Sequence, residues 1–95
     1  MIMLQPREIA IITDTISSYN PIKLGVFGSY ARNEEKPSSD IDLLVRFSEP
    51  IDLLELVGIE QSLTEKLRKK VEIVTERALS RRIRDSVMKD LKSLI

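Results

Sequence analysis

Apolar side chains recur along this chain with two periods. Over residues 7–18, Ile9, Ile12 and Ile16 return on one helical face, and Pro6 stands where a first helical turn tolerates it. A helix is predicted there, broken by Asn20 and Pro21. IKLGVF (22–27) then reads as a short buried strand that stops at Gly28. SYARNEE, opening at Ser29, suits one or two helical turns before Lys36, Pro37, Ser38 and Ser39, a polar turn that no helix crosses at its proline. In DIDLLVRF (40–47) side chains alternate, so Ile41, Leu43, Val45 and Phe47 share one face while Asp40 and Asp42 share the other. Glu49 and Pro50 close that strand. From Asp52 to about Leu67 the period is helical, with Leu56, Ile59, Leu63 and Leu67 along one stripe. VEIVT (71–75) follows as a third strand, and 78–93 as a last helix with Leu79, Ile83, Val87 and Leu91 every fourth residue. The order predicts an α/β (α+β) fold, a small mixed three-stranded sheet with helices packed on it.

Composition narrows what such a fold does. At 95 residues the chain is expected to form one domain, 1–95, with no separate substrate-recognition module. Apolar residues at 42% supply a core, and 15 basic against 15 acidic residues leave no net charge to wrap nucleic acid or hold an anionic membrane. Nucleic acid is therefore not expected as a direct partner. The absence of cysteine and histidine excludes disulfides, thiol catalysis, Cys/His zinc sites and imidazole acid-base chemistry, leaving carboxylates, hydroxyls, Lys, Arg and metals. MIMLQPREIAII is apolar but interrupted by Gln5, Pro6, Arg7 and Glu8, so neither a signal peptide nor a membrane span is expected, and the location expected is cytoplasmic.

The chemistry gathers around one spacing: Gly28-Ser29, ten residues, then Asp40-Ile41-Asp42. Gly28 has no Cβ to keep phosphates from the backbone, and Ser29 offers a hydroxyl and an N–H at the start of a helical turn. Two apart on a strand, Asp40 and Asp42 project the same way with Cα atoms roughly 6.5 Å apart, a separation suited to bridging two divalent cations ~3.5–4 Å apart. For these halves to meet, the first two strands must run antiparallel despite the segment between them. Glu72 brings a third carboxylate beside the pair if the third strand runs parallel to the second, and three acids with a triphosphate would complete two hard-cation sites. Arg32 lies one turn beyond Ser29, within reach of phosphate oxygens, whereas Tyr30 suits a small core better than a stacked base. Taken singly these residues also suit plain roles: a turn glycine, a helix cap, a solvated strand face and a surface arginine.

Together, GVFGSYARNEEKPSSDIDLLVRF resembles the minimal nucleotidyltransferases (MNT proteins) of the DNA polymerase beta superfamily. PIDLLELVGIEQSLTEKL and KVEIVTERAL extend the likeness over nearly the whole chain. The resemblance implies a polymerase-beta-like nucleotidyltransferase fold and a metal-dependent transfer of AMP from ATP, with two Mg²⁺ ions, to a hydroxyl. It implies a HEPN-domain toxin as partner, adenylylated on tyrosine by its antitoxin. On this sequence it makes Gly28 and Ser29 the triphosphate turn and Asp40 and Asp42 the metal pair, with Glu72 at a third acidic position where Asp is common. Asn33 stands where Gly is common and tolerates positive φ. In the catalytic mechanism so implied, Asp40 and Asp42 bridge both metals, and Glu72 touches the acceptor-side metal and serves as base or orienting group. Two other activities fit the same residues: a module that blocks the toxin by binding alone, and a small-molecule nucleotidyltransferase, which 95 residues would supply with an acceptor pocket only across a dimer.

The apolar surplus of Leu53, Leu54 and Val57, with Met1, Ile2, Met3 and Leu4, predicts a helical protein partner or, as the alternative, a homo-oligomer. The basic last helix, with Arg77, Arg81, Arg82 and Arg84, would add charge to that surface.

Overall fold

The computed structural model describes residues 4–95. Helix α1 (Pro6–Ser17) leads to β1 (Pro21–Phe27) and β2 (Ile41–Phe47), then α2 (Leu53–Leu67), β3 (Val71–Thr75), a single 3-10 turn (Glu76–Ala78), α3 (Arg81–Asp90) and β4 (Lys92–Ser93). Local capping sets the helix starts. The Gln5 N–H donates to Glu8 Oε1 at 3.0 Å, and the Glu55 N–H to the Asp52 carboxylate at 2.8 Å, so Asp52 caps α2 rather than joining it.

The strands form one mixed sheet in the order β3-β2-β1-β4. β1 runs antiparallel to β2, while α2 supplies the crossover that lets β3 pair parallel with β2. Register decides which side chains share a face. Leu24 lies opposite Val45 and Val26 opposite Leu43, while Ile41 and Leu43 face Val71 and Ile73. These side chains join Ile12 and Ile16 of α1 and Ile59, Leu63 and Leu67 of α2 in one buried core, with Leu56 partly buried against it. The alternation expected in β2 and the stripe expected in α2 are both observed.

The second face carries Asp42, Leu44 and Arg46 of β2, next to Gly25 and Phe27 of β1. Leu44, opposite Gly25, is fully buried. A Cβ on Gly25 would lie 2.6 Å from Leu91 Cδ1 and 2.9 Å from the Lys92 carbonyl oxygen, so the bare glycine is what lets the end of the chain pack this closely against β1.

Four expectations need correction. The sheet has four strands, because the chain leaves helical geometry at Leu91 and pairs Lys92 and Ser93 with Val26 and Gly25, which satisfies the edge of β1. The predicted last helix over 78–93 is for the same reason shorter, and it starts later because Leu79 is extended (φ −70°, ψ 125°). The segment after Ser29 forms consecutive turns, not a helix; Asn33 ends them in the left-handed region at φ 59°, as its residue type tolerates. Leu4, expected among the exposed apolar residues, is buried in the core; Met1, Ile2 and Met3 lie outside the described residues. Leu53 and Leu54 are exposed as expected, at 73% and 84%. No helix among the described residues is long and apolar enough to cross a membrane.

Candidate functional site

β1 delivers Phe27 opposite Asp42, and the chain turns at Gly28. Gly28 has φ +77°, and a Cβ there would stand 2.5 Å from Asp42 Oδ2, so any other residue would meet both backbone strain and a carboxylate. The turn is closed by its own backbone. The N–H groups of Ala31 and Arg32 both donate to the Gly28 carbonyl, at 3.1 and 3.2 Å, and the Glu34 N–H donates to that of Ser29 at 2.8 Å. Buried Tyr30 and Ala31 anchor it in the core, and the Lys69 ammonium lies 5.4 Å from the Tyr30 ring centre. Tyr30 thus has the core role its residue type suggests, and Ser29 is held half-buried between Gly28 and that anchor.

The acids arrive from two strands. Asp40 immediately precedes β2, Asp42 is its second residue, and parallel pairing sets Glu72 directly beside Asp42. The condition placed on Glu72 is therefore met at the level of register. Burial raises the Asp42 carboxyl from 3.8 to about 6; the charges of Glu72 and then Asp40 add to the rise, and Arg32 opposes it. A site that gathers carboxylates against their own repulsion suits a hard divalent cation, and its donors are all oxygen. As placed, the side chains do not close a cage: among the described residues no three acids are arranged to hold one metal ion. Glu72 is about half exposed and ion-paired with Lys70 at 3.4 Å.

Arg32 is engaged from both sides, its Nε donating to Glu34 at 3.0 Å and its Nη1 to Asp90 at the end of α3. No sequence signal pointed to Asp90, which lies 58 positions away from Arg32. The candidate site is an open face, not a cavity. A cavity of about 310 Å³ lies at the opposite end of the strands, lined by Ile22, Phe47, Ile51, Thr75 and Arg77 among others. From Asp42 to Phe47 along β2 is roughly 16 Å, so this cavity is separate from the acids.

Known proteins resemble this arrangement at two levels. The family model of the nucleotidyltransferase domain matches residues 8–94. A candidate protein adenylyltransferase of Methanocaldococcus jannaschii is 39% identical over 74 residues, covering 77% of this chain and 76% of that protein. The protein adenylyltransferase MntA of Thermococcus cleftensis is 38% identical over 69 residues, covering 73% and 70%. In fold, the chain is similar to a solved toxin–antitoxin with AMP-PNP (TM-score 0.83, 23% identity, 97% of this chain and 73% of that one). It is also similar in fold to a structure of tri-AMPylated Shewanella oneidensis HEPN toxin in complex with MNT antitoxin (TM-score 0.79, 22% identity, 97% and 72%).

Proposed function

The chain belongs to the nucleotidyltransferase domain family, and from that membership we propose that it transfers AMP from ATP to a tyrosine hydroxyl of a HEPN toxin and thereby acts as its antitoxin. The relatives described as protein adenylyltransferases support the donor and the kind of acceptor. The fold shared with an AMP-PNP complex and with the antitoxin of an AMPylated toxin supports the nucleotide and the partner. The single observation that carries the reading is the convergence of Asp42 with Glu72 in register and with the Gly28 turn, which leaves room for nothing larger than hydrogen beside Asp42.

In the transfer a bond forms between the acceptor oxygen and the α-phosphorus, the bond from that phosphorus to the bridging oxygen breaks, and pyrophosphate leaves with the electron pair. Gly28 and Ser29 would face the triphosphate, with Arg32 balancing its charge. Asp40, Asp42 and Glu72 would hold two Mg²⁺ ions, which when bound neutralise phosphate charge and ease ionisation of the acceptor hydroxyl. Glu72, the most exposed of the three acids, would receive or orient the hydroxyl proton.

A second reading, neutralisation by complex formation alone, draws on one observation: Glu72 is already ion-paired with Lys70. Both readings meet the same experiment, in which the chain is incubated with its co-expressed toxin, Mg²⁺ and ATP labelled at the α-phosphate. The transferase reading expects label on the toxin and a mass increase of whole AMP units. Asp40→Asn with Asp42→Asn should leave a folded protein whose transfer rate is lower by roughly 10²- to 10⁴-fold. Toxin neutralised without label, or full activity in the double variant, would overturn it.

A further inference from the structure

Arg32 and Asp90 form a contact that neither the motif nor the family assignment calls for. The Arg32 side chain is 44% exposed, whereas Asp90, although a carboxylate, is only 16% exposed. The better-buried partner sets the position of the freer one. A half-exposed arginine otherwise samples many rotamers, and fixing it before a ligand arrives removes that ordering cost from binding.

Three features give this contact a direction. Glu34 takes Nε and Asp90 takes Nη1, which leaves the Nη2 donors of the guanidinium fork for a ligand. The same guanidinium acts electrostatically on Asp42, so its charge is felt among the acids of the candidate site. Asp90 is itself held, because α3 is fastened along its length. Near its start, Arg84 lies 3.7 Å from Glu76, a carboxylate that Lys23 and Arg46 also approach, at 3.3 and 3.8 Å. Val87 is buried, and Leu91, one residue after Asp90, sits against the bare backbone of Gly25.

We propose that Asp90 is a positioning residue: from the end of α3 it holds the Arg32 guanidinium ready for the phosphates of the nucleotide beside the Gly28–Ser29 turn. The inference rests on Arg32 being a phosphate contact, and it adds α3 to the site as the element that aims it. A fixed, charge-assisted pair is stronger and better oriented than a neutral one, so the effect belongs to the phosphates and not to the nucleoside.

The test is calorimetric titration of Mg²⁺-ATP, and separately of adenosine, into wild type, Arg32→Ala, Asp90→Asn and the double variant. Arg32→Ala should weaken ATP binding on the order of tenfold, and Asp90→Asn about threefold or more. The double variant should be no weaker than Arg32→Ala, because Asp90 acts through Arg32. Adenosine affinity should not change. Should Asp90→Asn fail to fold, Asp90→Glu, which shifts the carboxylate by one methylene, is measured in its place and should again weaken ATP but not adenosine. Wild-type ATP affinity in the Asp90 variant beside a weakened Arg32→Ala would overturn the role of Asp90 and leave that of Arg32 standing. An Arg32→Ala with unchanged ATP affinity would remove the phosphate contact itself. Equal losses for ATP and adenosine would reduce Asp90 to a general packing role and overturn the proposal.

Discussion

At Gly28 and Asp42 two residues distant in sequence limit each other's chemistry. Gly28→Ala would place a side chain at φ +77° and a methyl 2.5 Å from Asp42 Oδ2. The left-handed backbone alone should cost about 1–2 kcal/mol, read by urea unfolding, and displacement of the carboxylate should lower transfer activity with it. A variant as stable and active as wild type would contradict the contact. Asp42 also makes folding depend on pH. Its carboxyl rises from 3.8 to about 6 on folding, so the native state holds the proton more tightly than the unfolded chain does. Ionised Asp42 therefore lowers stability above pH 6, and that deficit disappears as pH falls through 6 toward 4. Asp42→Asn, neutral throughout, should melt higher than the metal-free wild type at pH 8, and the gap should close by about pH 4. Melting curves of both proteins across that range cancel the other titrating groups; a gap constant with pH would refute the shift.

Among the elements, β3 shows how an edge strand is closed without another strand. The Ile73 N–H donates to Glu60 at 2.6 Å and the Val71 N–H to the Thr64 hydroxyl at 3.1 Å, both acceptors standing on α2. The helix that covers the core thus also occupies the edge to which a further strand would add. Glu60→Ala should leave a partly buried N–H without its acceptor and cost about 1–3 kcal/mol, with a melting point lower by roughly 4–8 °C for each kcal/mol. Unchanged melting by circular dichroism would mean that water replaces the carboxylate without loss. The strand phases and α2 were legible in the sequence because burial repeats with a fixed period. The end of α3 was not: Leu91 continues the helical spacing, yet the chain turns away after Asp90 to lie on Gly25 and to pair with an edge that only the assembled sheet presents.

For the whole molecule, the two faces of the sheet have different work. One is sealed by α1 and α2, while the other carries Asp42 and lies against α3, with β4 extending the sheet at the edge of β1. Leu53 and Leu54, the first two residues of α2, are exposed. Leu53→Ser with Leu54→Ser should change stability by no more than about 0.5 kcal/mol, because neither side chain is in the core. If the toxin docks there, the same pair should weaken the complex by on the order of tenfold or more, since burying one leucine is worth about 1.5–3 kcal/mol. Size-exclusion chromatography of the co-expressed pair with light scattering measures this, and an intact complex with unchanged affinity would move the interface elsewhere.

What could be read from the chain alone was local or periodic: helix and strand phase, and the placing of Asp42 on the face of β2 away from Ile41 and Leu43, whereas Asp40, expected on the same strand, lies just before it. Chain spacing carries such features because backbone geometry repeats. The approach of Glu72 to Asp42 was legible only as a condition, and the parallel pairing of β3 supplied it. The close contact of Gly28 with Asp42, the rise of the Asp42 carboxyl to about 6 through burial, and the pairing of Arg32 with Asp90 across 58 positions come from the folded arrangement. Desolvation and the choice of partner by a long, charged side chain depend on what surrounds a residue in space, and that environment is assembled from the whole chain.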